Sequence, residues 1–294
     1  MVRRAMTGPP PRQLAGTKNT RVPHPCGAAF LKGWVILLCW VAVACHYQAR
    51  KNVRGDLELL ADESMNSSRF MSNYYTENLA AGRLRACYDL APPRVKAYLE
   101  AEIDYLLHKA SPSMIVLELG CGYGRVLRRL IPHVREAIGI DTSFPSLRMA
   151  LEFVGRPESL RLAQMDALHL GFRDGTFDLT ICIQNGISAF AVDQQRLFAE
   201  AVRVTRPGGT VLFSSYCESF WPDRLQWFEL QSAHGLIGDI DYQRTGNGVI
   251  VCRDGFRATT VSADGFRSLA GVLGLISKIV EVDNSSLFCE IMVP

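Results

Sequence analysis

Between residues 114 and 216, short apolar runs alternate with longer segments whose apolar positions recur every three or four residues. Ile115–Leu119, Ala137–Ile140, Leu160–Gln164, Leu179–Ile183 and Thr210–Phe213 are the short runs and predict strands. Arg125–Ile131, Leu147–Leu151 and Gln194–Val204 carry the helical spacing. Strand and helix alternating in this way predict a mostly parallel sheet with helices on both faces, a doubly wound Rossmann-like α/β fold of three layers. Arg206-Pro-Gly-Gly209 is expected to be a turn before the fifth strand, which ends in Ser214-Ser-Tyr216.

The flanking pattern differs. Tyr74–Ala81 predicts a short helical segment. After Pro92-Pro93, Val95, Tyr98, Leu99, Ile103, Leu106 and Leu107 predict a longer helix. Beyond Tyr216 come two aromatic groups, Phe220-Trp221-Pro222 and Leu225–Phe228, which suit either a roof over an apolar ligand or ordinary core. Asp239–Arg244 and Val249–Cys252 flank Thr245-Gly-Asn-Gly248 and predict a β-hairpin. Ala263–Leu273 predicts a helix stopped by Gly274, and Ile276–Val282 with Leu287–Val293 an antiparallel pair.

Composition divides the chain. Residues 1–64 hold nine Lys/Arg against four Asp/Glu, whereas 65–294 hold 23 against 25. The basic character therefore belongs to an N-terminal extension rich in Pro, Gly and Arg, expected to be largely disordered. The main domain is expected at 65–294, with 66–110 as a helical lid and 220–260 as an insertion on the acceptor side. Its near-neutral balance argues against a nucleic-acid partner. Residues 33–45 form an uncharged apolar run, shorter than the roughly 20 residues that span a bilayer. Three readings of it stand side by side: a marginal anchor or signal-like segment giving membrane contact through 28–45, a helix docked on the main domain, or an upstream start with Met65 or Met71 as the true beginning. The nine cysteines are scattered without a CxxC pair, which suits buried thiols in a reducing, cytoplasmic compartment and predicts no metal site.

The candidate chemistry gathers at predicted strand ends. Glu118-Leu-Gly-Cys-Gly-Tyr-Gly124 places three glycines between a strand and a helix, where a tight turn needs unusual φ and a ligand must approach bare backbone. The carboxylate at the strand end suits an amine or hydroxyl donor better than a pyrophosphate. Asp141 lies 21 residues after Gly120, the separation at which an acidic residue grips ribose hydroxyls in related βαβ units; it could also cap the helix that follows. Asp166 follows the third strand and could accept from an exocyclic amine. Glu118, Gly120, Asp141, Asp166 and Asn185 all fall at carboxyl ends of strands, where open α/β sheets bind ligands.

Val116–Gly124, Gly139-Ile-Asp141, Met165-Asp-Ala167, Phe177-Asp-Leu179 and Arg206–Thr210 together resemble the class I S-adenosylmethionine-dependent methyltransferases, in particular the small-molecule branch of the ubiquinone/menaquinone-biosynthesis type. The resemblance implies a seven-stranded sheet with a reversed last strand and S-adenosylmethionine in the strand-end crevice. It implies that Glu118 and Gly120 meet the methionine part, Asp141 the ribose and Asp166 the adenine amine. Tyr74 or Tyr75 would reach the cofactor's carboxylate. Cys121, Gly122, Gly124, Thr142, Met165, Ala167, Gln184 and Asn185 complete the expected cofactor site, with Asn185, Tyr216 and Trp221 toward the acceptor. Enzymes of this class that methylate nucleobases or glutamine carry Asn/Asp-Pro-Pro-aromatic after the fourth strand; here the segment is Gln184-Asn-Gly-Ile187, which points to a small-molecule acceptor. His169, Tyr216, His234, Asp239 and Asp241 are the base candidates, and none is singled out. Two other functions compete, a nicotinamide oxidoreductase and a catalytically idle cofactor-binding scaffold.

Overall fold

The computed structural model describes Tyr74, Tyr75 and residues 77–294. The expectations for the N-terminal extension, its apolar run 33–45 and a start at Met65 or Met71 lie outside the described residues. Helical positions at Tyr74, Tyr75 and residues 77–78 precede α1 (Gly82–Asp89) and α2 (Pro93–Leu107), the latter opened by a proline in its first turn. Then follow β1 (Ile115–Leu119), α3 (Arg125–Leu130), β2 (Glu136–Asp141), α4 (Phe144–Val154), β3 (Leu160–Gln164) and β4 (Phe177–Cys182). A single turn, α5 (Gly186–Ala189), leads to α6 (Gln194–Val204) and β5 (Thr205–Tyr216). After α7 (Trp221–Ala233) come the short strands β6 (Ile250–Val251) and β7 (Arg257–Ala258), then α8 (Ala263–Val272), β8 (Ser277–Val282) and β9 (Ser286–Met292).

Seven strands form one sheet in the order β3-β2-β1-β4-β5-β9-β8. β3, β2, β1, β4 and β5 pair in parallel, and β9 runs antiparallel to both β5 and β8. The chain order reverses between β1 and β4, which opens a crevice at the carboxyl ends of these strands. Strand alternation sorts β1 between two apolar layers. Leu117 and Leu119 pack with Leu197, Phe198 and Phe266 on one face, while Val116 packs with Ile103 and Leu127 on the other. Glu118 shares the Val116 face, so a carboxyl replaces an apolar side chain where β1 meets the crevice. A third apolar cluster joins Tyr74, Leu79, α2, α7 and the β6–β7 segment above the sheet. Among the described residues no helix is long and apolar enough to cross a membrane.

Three local expectations are corrected. Arg206–Gly209 lies inside β5 rather than before it: Phe177 pairs with Thr205 and Leu179 with Thr210, so the Pro-Gly-Gly stretch loops out as a bulge. Pro207 has no N–H to give to a ladder, and Gly208 supplies the positive φ that the bulge needs. The hairpin is displaced: β6 pairs with β7 across the segment 252–256, while Asp239–Arg244 contributes only an isolated bridge between Ile240 and Cys252. Asp254 Oδ1 accepts from the Phe256 N–H at 3.1 Å and Gly255 takes φ +94, so this Asp-Gly turn fixes the register. The helix-capping alternative for Asp141 falls to Ser143, whose Oγ accepts from the Ser146 N–H at 3.3 Å.

Candidate active site

At the strand ends lies a cavity of about 350 Å³. Its floor is the glycine turn, its side walls come from the ends of β2, β3 and β4, and its upper wall holds Tyr75, Leu79, Ala80, Leu84 and Tyr88 from the lid and α1. Of the residues expected to hold the cofactor, Glu118, Gly120, Cys121, Gly122, Asp141, Thr142, Met165, Asp166, Ala167 and Gln184 line it.

The turn is stitched by its own hydrogen bonds. Gly120 and Cys121 N–H both donate to the Ile140 carbonyl, at 2.9 Å each, and Gly124 N–H donates to Cys121 O at 2.9 Å. Gly122 N–H donates to Asp141 Oδ2 at 2.9 Å, and Ser143 N–H to Oδ1 at 2.8 Å. These four turn N–H groups are committed within the protein, unlike a turn that offers them to a pyrophosphate. Gly120 has φ +73, and a Cβ there would stand 2.4 Å from the Phe190 ring, so backbone and aromatic wall meet only at glycine.

The buried polar atoms that lack a partner include several around this cavity. Glu118 Oε2 is an acceptor with no donor, while Arg125 Nε and Nη2 and Gln184 Nε2 are donors with no acceptor. Burial pushes the Glu118 carboxyl up to about 8; Arg125 pulls it down and Asp141 adds to the rise. An acceptor and a guanidinium edge left open together fit the ammonium and carboxylate of an amino acid. Asp141, also raised by burial and drawn down by backbone donors from Ser143, Gly122 and Thr142, stands in the cavity lining, where its carboxylate can accept from a ribose hydroxyl. Met165, Ala167, Phe190 and Val192 supply apolar lining. S-adenosylmethionine therefore fits the residues present: Glu118 and Arg125 would hold its amino-acid end and Asp141 its ribose.

Arg125 escaped the sequence reading. Its signal is a cation at the first position of α3, where the helix dipole favours the opposite sign. Other expected residues stand elsewhere. Tyr74 donates its hydroxyl to Asp254 Oδ2 at 2.6 Å and packs 5.1 Å from Phe256, so Tyr75 rather than Tyr74 faces the cavity. Gly124, at φ +84, is the N-cap of α3. Asn185 turns away: its Nδ2 donates to Thr259 O at 2.9 Å and its Oδ1 accepts from Ser215 at 2.8 Å. Tyr216 and Trp221 belong to the upper apolar cluster and do not line the cavity. Asp166 lines the cavity but already accepts from Leu168 N–H and from His169 Nδ1, each at 2.9 Å, while His169 Nε2 accepts from Arg196 at 3.0 Å. His169, His234, Asp239 and Asp241 are outside the lining.

Gln184 and Asn185 take φ +58 and +59 in succession, a strained turn where β4 meets the cavity. Gln184 N–H donates to Glu102 Oε2 and Ser214 Oγ, both at 2.7 Å. Glu102, fully buried on α2, also accepts from Ser286 at 2.6 Å. Burial raises it to about 7 against the pull of these donors. Among the described residues six buried cysteines, Cys121 and Cys182 included, are free thiols, and there is no metal-binding cluster.

Sheet order, reversed β9 and a cavity at the strand ends are the arrangement that the resemblance to the class I S-adenosylmethionine-dependent methyltransferases implies. Residues 116–209 match the family described as "Methyltransferase domain". Curated relatives agree in kind. The 2-methyl-6-phytyl-1,4-hydroquinone methyltransferase of Synechocystis is 28% identical over 42% of this chain and 42% of its own length. The demethylmenaquinone methyltransferase of Lactiplantibacillus plantarum is 33% identical over 36% and 46%. The chain thus spans about half the length of the curated relatives it matches. Among solved structures, a Pyrococcus horikoshii protein is 25% identical with TM-score 0.51, covering 70% of this chain and 94% of that one. An N-methyltransferase of Bradyrhizobium japonicum in complex with S-adenosylhomocysteine shares the fold at 16% identity and TM-score 0.50, over 78% and 99%.

Proposed function

We propose that the protein transfers a methyl group from S-adenosylmethionine to a small-molecule acceptor. The observation that carries this is the meeting of Glu118, Arg125 and Asp141 around one cavity at the switch point of the sheet. Bound there, the cofactor supplies an electrophilic methyl group on a sulfonium whose departure leaves a neutral thioether, so no acid is needed to release it. The chain's own work is to bind, align and keep water out. The lid side chains Tyr75, Leu79, Leu84 and Tyr88 close the cavity from above. The lining contains no histidine, and burial pushes the Tyr75 and Tyr88 hydroxyls far above the ordinary phenol range. These phenols are poor bases at neutral pH. That favours an acceptor atom that is nucleophilic without losing a proton to the protein, or one that arrives already ionised.

Two measurements test the proposal. Titration calorimetry of the full chain should show S-adenosylhomocysteine binding and none by NAD; the reverse result would restore the oxidoreductase reading. Incubation with methyl-labelled cofactor and a metabolite extract should yield a product heavier by one CH2 group. Cofactor binding with no labelled product across such extracts would favour the idle scaffold.

A further inference from the structure

Arg224 on α7 is fully enclosed. Its Nη1 donates to the Gly248 carbonyl at 2.7 Å, its Nη2 has only a 3.4 Å contact with Thr259 O, and its Nε is buried without a partner. The guanidinium carbon lies 4.5 Å from the Tyr216 ring centroid, 5.6 Å from that of Phe228 and 5.7 Å from that of Trp221. The groups that act on its charge are Tyr216, Tyr75 and Tyr98, with no carboxylate among them. Enclosing a cation without a counter-charge is costly, and ring faces offset only part of that cost when desolvated. Clamping Gly248 and Thr259 to α7 accounts for Nη1 and in part for Nη2, but leaves Nε unexplained. The open donors, Nε and Nη2, form the side-on edge of the guanidinium that takes a carboxylate through two parallel hydrogen bonds.

The place of this edge matters. Tyr75 stands in the cavity wall, its ring 6.0 Å from that of Phe256, which lies 5.7 Å from Phe228, one of the rings that Arg224 faces. Within the cofactor reading, the amino-acid end occupies Glu118 and Arg125, so nothing of the cofactor remains for Arg224. We infer that Arg224 sets acceptor specificity, and that the acceptor is a planar aromatic acid whose carboxylate pairs with the Nε–Nη2 edge while its ring lies among Tyr75 and the neighbouring aromatic side chains. The acid reaches this edge when the Tyr75 side chain swings aside. The inference rests on the methyltransferase reading and narrows it to a substrate class.

The test uses the full chain saturated with S-adenosylhomocysteine, titrated in parallel with benzoate and with its neutral isostere benzamide. Benzoate should raise the melting temperature with concentration, and benzamide should not. Arg224→Gln should weaken benzoate at least about tenfold while leaving S-adenosylhomocysteine affinity unchanged. Arg224→Lys, which keeps the charge but not the two-donor edge, should fall between. If Arg224→Gln does not fold, the wild-type contrast and the lysine variant still decide. Equal response to benzoate and benzamide, or undiminished benzoate binding in the variants, overturns the inference. Absence of S-adenosylhomocysteine binding to the wild type would instead overturn the methyltransferase reading, so the two failures are distinct.

Discussion

Glu118 couples ligand charge to protonation. Its carboxyl is enclosed, held up at about 8, and left with one oxygen unpartnered. Near pH 7 it is therefore mainly protonated in the free protein. An ammonium group arriving beside it favours the anion, so binding of S-adenosylhomocysteine should release up to one proton, and affinity should rise as pH goes from 6 to 8. Calorimetry in buffers of different ionisation heat measures that release directly. Glu118→Gln should abolish it, and a pH-independent affinity in the wild type would contradict the role. Asp141→Ala should weaken the same ligand by about 1–3 kcal/mol, partly because Gly122 and Ser143 N–H lose their acceptor; unchanged affinity would remove the ribose assignment. Asp141 and Glu118 were legible in the sequence because strand ends and glycine spacing locate them whatever packs above. Asn185 and Tyr74 show where that logic stops. A residue's position on the rim is set locally, but whether its side chain turns inward depends on partners far along the chain, here Thr259 and Ser215 for one and Asp254 for the other.

At the level of elements, the glycine turn also locks two helices together. A Cβ on Gly124 would stand 2.6 Å from Val154 Cγ2 and 3.2 Å from the Ala150 Cβ, at φ +84. Gly124→Ala should therefore destabilise the fold by about 1–3 kcal/mol through backbone strain, with more from the clash between α3 and α4, seen as a lower melting temperature. Gly271→Ala is the matching control, since nothing lies within 4 Å of its new Cβ at this exposed position of α8; it should be neutral or stabilising by up to about 1 kcal/mol. Elements with strong periodicity, such as β1, β2, α2, α6, α8 and the β8–β9 pair, could be read from sequence nearly to their ends. α1 and α7 could not. α1 carries Gly82 and two arginines and buries only Cys87, so tertiary contact rather than pattern holds it. α7 buries Arg224 and Gln231 beside Trp227 and Phe228, a mixed face that blurs the helical period.

For the whole molecule, two opposing sets of carboxyls shape stability against pH. Asp178 and Glu290 are held below the ordinary range by cationic and hydrogen-bonding partners that outweigh their burial, and Glu200 mainly by its bond from Arg203. Their contribution is present above the ordinary carboxylate pKa and is lost as pH falls through their lowered values. Glu102 and Glu118 work the other way. Burial raises them to about 7 and about 8 from 4.5, so between those limits the folded state holds more protons than the unfolded one. Their contribution is complete below 4.5 and is lost as pH rises through 7 and 8. The cofactor-free protein should therefore be most stable in mildly acidic buffer and lose melting temperature steadily from pH 6 to 9. Glu118→Gln should flatten the upper part of that fall, because an amide carries no charge to desolvate. S-adenosylhomocysteine should stabilise the wild type more at pH 8.5 than at pH 6, since it supplies the cation that the enclosed carboxylate lacks. Thermal melts across this range, with and without the ligand, measure all three. A wild-type profile that is flat or rising to pH 9 would mean that Glu102 and Glu118 ionise freely in the fold, and the link between cavity burial and ligand charge would fail with it.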